Sequence, residues 1–73
     1  MKIIYFSILK ERIGAFEEFE FDGTEEELKT YLCSKYPHLC NIIKSSRFAK
    51  ENEYVKEFKN SDTIFAIPPV SGG

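Results

Sequence analysis

A chain of 73 residues has room for one modest core, because a domain of this size hides only about 60% of the surface its unfolded chain exposes. An enzyme that encloses a large cofactor is not expected. Hydrophobic residues at 42% and charged residues at 30% are the balance of an ordinary soluble domain. The net charge of −2 withholds the positive field on which nucleic-acid affinity depends. No stretch approaches the roughly 20 apolar residues of a bilayer span, and the N-terminal run passes into Lys10-Glu11-Arg12 without a cleavage-site pattern. A cytoplasmic protein with no nucleic-acid and no membrane partner is expected.

Ile3 to Leu9 is an apolar run rich in β-branched and aromatic residues, bounded by charges and short for a helix, and predicts a first strand. Its apolar side chains fall at both parities, so one face can enter the core while Ile4, Phe6 and Ile8, or their alternates, stay available to a partner. After Gly14, Phe16 to Phe21 alternates, with Phe19 and Phe21 on one side and Glu18 and Glu20 on the other, the pattern of a half-buried strand. The two strands predict a hairpin.

Asp22-Gly23 interrupts that strand, and Thr24 followed by Glu27 is a capping box that starts a helix. Leu28, Leu32 and Tyr36 give it an apolar stripe, the early glutamates suit its dipole, and Pro37 stops it. Leu39 to Ser46 is a short connection with a helical turn around Leu39, Ile42 and Ile43. Arg47 to Lys50 and Tyr54 to Phe58 predict a second hairpin. Asn60-Ser61-Asp62 is turn chemistry, Thr63 to Ile67 is the last strand, and Pro68-Pro69 ends it for want of backbone donors. One helix after a hairpin, followed by further strands, buries its stripe on one sheet face and gives a two-layer α+β domain.

Cys33 and Cys40 are too few for a disulfide scaffold and too far apart for a zinc knuckle, so two core or half-buried thiols are expected. His38 sits at a helix end. The glutamates of the first helical turn are a solvated surface and not a metal cluster.

The end of the chain, Pro68-Pro69-Val70-Ser71-Gly72-Gly73, begins stiff and finishes flexible. At about 3.1 Å per residue along the prolines it can project roughly 20 Å, and Gly72 and Gly73 lack the Cβ that would keep a channel wall at a distance. A terminal carboxylate becomes an electrophile only when one oxygen is made a leaving group, as by adenylation with ATP. The chain carries neither G-x-x-x-x-G-K-[ST] nor G-x-G-x-x-G, so the nucleotide belongs to a partner and no cofactor is expected to bind here.

Phe6 to Gly14, with its Lys-Glu-Arg-Ile-Gly turn, Ser61-Asp62-Thr63-Ile64, and the Pro-Pro-Val-Ser-Gly-Gly tail resemble the small, sulfur-carrying subunit of molybdopterin synthase. The resemblance runs through nearly all of the chain, with Lys10 where that family usually has arginine. It implies a ubiquitin-like β-grasp fold: a mixed sheet of four to five strands on one main helix, in a single domain over 1–73 with a flexible tail over 68–73.

The resemblance further implies that a ubiquitin-activating-like enzyme adenylates Gly73, that sulfur from a donor protein replaces the adenylate, and that the thiocarboxylate feeds the large subunit of the synthase. There it would help convert cyclic pyranopterin monophosphate to a dithiolene, the catalytic side chains being the large subunit's. Two small and two large subunits are implied. Gly72 and Gly73 would carry the chemistry; Phe6, Tyr54, Ile67, Pro68, Pro69, Val70 and Ser71 would bind the partner. A carrier for thiamine thiazole synthesis, a ubiquitin-like modifier joined to lysines and a plain binding module are the alternatives.

Overall fold

The computed structural model describes residues 1–50 and 57–69. Their elements run β1 (Lys2–Tyr5), α1 (Ser7–Arg12), β2 (Phe16–Glu18), β3 (Gly23–Thr24), α2 (Glu25–Lys35), a 3₁₀ turn (Pro37–Leu39), α3 (Cys40–Ser45), β4 (Arg47–Lys50), β5 (Glu57–Phe58) and β6 (Thr63–Ile67). Four strands form a mixed sheet in the order β2-β1-β6-β4, and β3 pairs with β5 in a small second sheet. The central pair is parallel, Ile3 opposite Ile64 and Tyr5 opposite Ala66. β2 and β4 flank it in antiparallel pairing.

This is the α+β, ubiquitin-like β-grasp arrangement. The first and last strands lie side by side at the centre, and the helices cover one face.

Side-chain alternation along the strands decides what is inside. Ile3, Tyr5, Ile64, Ala66 and Phe48 turn to the helical layer and are almost wholly buried. They meet Leu28 and Leu32 of α2, Leu39 and Ile43 beyond it, and Leu9 of α1 in one core cluster. Each fully buried leucine is worth about 1.5–3 kcal/mol of transfer free energy.

α2 begins as its sequence predicts. The Glu27 amide donates to Thr24 Oγ1 at 3.1 Å and the Thr24 amide donates to Glu27 Oε1 at 2.8 Å, so two otherwise orphaned helix-terminal donors are satisfied reciprocally. Three glutamates in its first turn and Lys35 in its last match the helix dipole.

Three expectations are corrected. The first strand does not continue to Leu9: the chain leaves the sheet after Phe6, whose extended backbone caps α1, and Ser7 adopts φ +55°. The following helical turns bury Leu9 and lay Ile13 against the core. Gly14, at φ +135°, then turns the chain back into β2 in a conformation that costs residues with a Cβ. Strands β1 and β2 are antiparallel neighbours, but a helix joins them in place of a tight turn.

The second correction concerns the expected hairpin of Arg47–Lys50 with the segment ending at Phe58. β4 pairs with β6, Phe48 opposite Ala66, while Glu57–Phe58 pairs with Gly23–Thr24 at the start of α2. In both cases a fully buried phenylalanine, Phe48 or Phe58, fixes the pairing by entering the core.

The third concerns the cysteines. Cys33 and Cys40 are disulfide-bonded, with their Cα atoms 4.6 Å apart, because Pro37 and the 3₁₀ turn fold the chain back and set the first residue of α3 against the last turn of α2.

Candidate docking face and C-terminal tail

The side chains that alternation leaves over point away from the helices and form rows across the sheet. Glu18, Lys2 and Thr63 are neighbours in register and make a polar row. The next row, from Phe16 through Ile4 and Phe65 to Ala49, crosses all four strands. It is apolar throughout, with Phe16 51% exposed.

Beyond it lie Phe6, just past the end of β1, and Ile67, opposite Arg47. Phe6 and Ile67 are 42% and 41% exposed. The Phe6 amide donates to the Ala66 carbonyl at 3.3 Å, which holds Phe6 level with the end of β6, and its ring tilts on Phe65 with centroids 5.9 Å apart. Lys2 Nζ stands 4.5 Å over the Phe16 ring, a cation–π contact on the polar margin.

β6 runs off this face into Pro68, which is buried, and Pro69, which is exposed. Large aromatic and aliphatic side chains left half in water on one side of a sheet are the usual material of an interaction surface. Here they lie beside the strand that leads into the tail.

No protein-family model matches the chain. The molybdopterin synthase sulfur carrier subunit of Chlamydomonas reinhardtii is 35% identical over 81 aligned positions, covering 100% of this chain and 98% of that protein. The protein of the same name from Caenorhabditis briggsae is 32% identical over 81 positions, covering 100% of this chain and 96% of its own. This chain belongs to the molybdopterin synthase sulfur carrier subunit family.

Of the residues that the sequence marks for partner binding, the structure describes four: Phe6 and Ile67 on the outer face, and Pro68 and Pro69 at the end of β6. Tyr54, Val70, Ser71, Gly72 and Gly73 lie outside the described residues. Phe6 and Ile67 are surface residues and not core residues. Pro68 is buried, so it anchors the base of the tail. Phe65, Phe16 and Arg47 were not singled out in the sequence, although the alternation of β6, with Ile64 and Ala66 inside, already puts Thr63, Phe65 and Ile67 on the other side.

The groups with displaced titration lie off this face. On the helical side of the sheet, the Tyr5 hydroxyl donates to Glu17 Oε1 and the Lys35 ammonium to Glu17 Oε2, both at 2.6 Å. Burial raises the Glu17 carboxyl, but hydrogen bonds from Lys35, Tyr5 and Tyr36 outweigh it and hold the group below its ordinary value. Burial and the adjoining carboxylate push the Tyr5 phenol far above the phenolic range. The carboxylate holds the Lys35 ammonium above its usual value.

In the turn before β6, Asp62 accepts from the Lys59 amide at 2.8 Å and meets Lys50 Nζ at 3.1 Å. Despite burial, these contacts lower its carboxyl. Ion pairs of this sort fix the edges of the sheet; among the described residues, the outer face offers apolar contact area with a charged margin.

Proposed function

We propose that this chain is the cytoplasmic sulfur carrier of a molybdopterin synthase and that the carboxylate of Gly73 is its working group. The observation that carries the reading is the apolar outer face that Phe6, Ile4, Phe65 and Ile67 build beside the strand leading into Pro68-Pro69 and the Gly-Gly end. A partner seated on that face takes up the tail from the adjoining strand end. The full-length relatedness to proteins named as sulfur carrier subunits supports it.

The chemistry divides between proteins. An activating enzyme of the ubiquitin-activating type joins the Gly73 carboxylate to AMP from ATP and releases pyrophosphate. Sulfide-level sulfur handed over by a donor protein attacks the carbonyl carbon and expels AMP, which leaves a terminal thiocarboxylate. The tail then enters the large subunit of the synthase, where sulfur passes to cyclic pyranopterin monophosphate and hydrolysis by water breaks the bond from sulfur to the Gly73 carbonyl carbon, regenerating the carboxylate. The carrier contributes docking area, reach and an unhindered terminus; it is the non-catalytic subunit, binds no cofactor of its own and forms a single domain over 1–73. Two carriers serve two large subunits.

Deleting Gly72 and Gly73 leaves the core and the docking face in place. Cells relying on the shortened chain should therefore fail to make molybdenum cofactor although the protein remains folded. Normal cofactor synthesis in those cells would refute the carrier reading and favour a binding module.

A further inference from the structure

On the far side of the molecule from the sheet's outer face, α2 and α3 border an open groove of about 610 Å³ lined by Glu26, Lys29, Ser34 and Lys44 together with Cys33 and Cys40. We propose that Cys33 and Cys40 are a thiol–disulfide exchange site, opened by a small thiol and closed by the matching small disulfide, either of which enters this groove. Three observations carry it. The bond exists, and the Cα separation of 4.6 Å lies within the range that a disulfide spans without moving the backbone, roughly 4.4–6.8 Å. Both cysteines are half-buried and border an open groove whose size is that of small-molecule sites, roughly 300–1,000 Å³.

The two helices are also tied together without the bond. Lys29 Nζ donates to the Lys44 carbonyl at 2.9 Å, and Leu28 and Leu32 share a core cluster with Leu39 and Ile43. Once reduced, the thiols therefore stay opposite one another, and closure remains an intramolecular step at high effective concentration.

A small thiolate attacks one sulfur of the Cys33–Cys40 bond, which breaks and releases the other cysteine as a thiolate that takes up a proton. A second molecule of the small thiol attacks the mixed disulfide, frees the remaining cysteine and departs as the oxidised dimer of the small thiol. Two electrons and two protons pass from the two small thiols to the pair. Oxidation by a small disulfide is the reverse. The inference does not depend on the carrier reading, because the groove and the outer sheet face lie on opposite sides.

The test uses the full, natively folded chain. It is equilibrated with glutathione and glutathione disulfide over a range of ratios, quenched with N-ethylmaleimide and weighed intact. Under oxidising ratios no maleimide adds; under reducing ratios both cysteines are labelled, and returning the reduced chain to glutathione disulfide restores the unlabelled form. Two labels under every condition would overturn the proposal by showing that no bond forms. Labels that appear only after unfolding would overturn it by showing a sealed bond that solution thiols do not reach. Of the folded variants Cys33→Ser and Cys40→Ser, at least one should take up one glutathione on its remaining cysteine, and refusal by both folded variants would likewise overturn the proposal.

Discussion

Replacing Phe6 by aspartate separates docking from folding. Phe6 is 42% exposed, so of the roughly 200 Å² that a phenylalanine can bury, about 80 Å² remains for a partner to cover. At about 25 cal/mol per Å² this is about 2 kcal/mol, or about thirtyfold in Kd. A buried carboxylate in its place adds the cost of desolvating an unpaired charge, so a loss of at least about a hundredfold is expected for Phe6→Asp. Within the chain the substitution removes the tilted ring contact with Phe65, worth about 0.5–1.5 kcal/mol, and lowers Tm by several degrees without unfolding the protein.

Isothermal titration of the large synthase subunit against Phe6→Asp and against Glu18→Gln, on the polar row of the same face, reads both effects. The first should lose affinity and the second should keep it. Unchanged affinity for a folded Phe6→Asp chain, or an equal loss in both variants, would refute the assignment of the apolar rows as the docking surface.

Leu32 is fully buried between α2 and the sheet; Leu32→Ala should cost about 2–5 kcal/mol in urea unfolding, and a loss below about 1 kcal/mol would mean that α2 does not seal the core as described. Acid should destabilise the fold through Glu17 and Asp62. Both carboxyls are held below their ordinary values when folded, so their contribution is complete above the unfolded-state values and disappears as pH falls through the lower folded ones. Tm should decline on going from about pH 5 to about pH 2, and Glu17→Gln should flatten that decline; an unaltered slope would show that the Tyr5–Glu17–Lys35 network does not carry it.

The parts of the fold that local chemistry determines could be read from the sequence. Thr24 and Glu27 mark the start of α2 because a capping box is complete within four residues, and Thr63–Ile67 ends where Pro68 withdraws its donor. The first connection could not be read in this way. Ile8 and Leu9 are as apolar as a strand, and six residues hold too little periodicity to announce a helix. What turns them into one is the departure of the chain at Ser7 and the place that Leu9 finds in the core.

Pairing partners were hidden for a similar reason. β4 and β5 are four and two residues long, and their neighbours are chosen by where Phe48 and Phe58 can be buried and not by proximity in the chain. The disulfide depends on the fold-back at Pro37, which the sequence indicated as a helix stop without giving its direction. On the outer face of the sheet, Phe6 lay on one of the two parities that the sequence left open, and Ile67 came from the resemblance. Phe65 became legible only once β6 was known to turn Ile64 and Ala66 inward.

The central claim is covalent, so the most direct measurement is the intact mass of the untagged chain taken from cells actively making molybdenum cofactor, handled under conditions that do not hydrolyse a thioacid. Exchange of one carboxylate oxygen for sulfur predicts a gain of about 16 Da confined to the C-terminal peptide that contains Gly73. An unshifted mass in those cells, or a shift located at any other peptide, would contradict it.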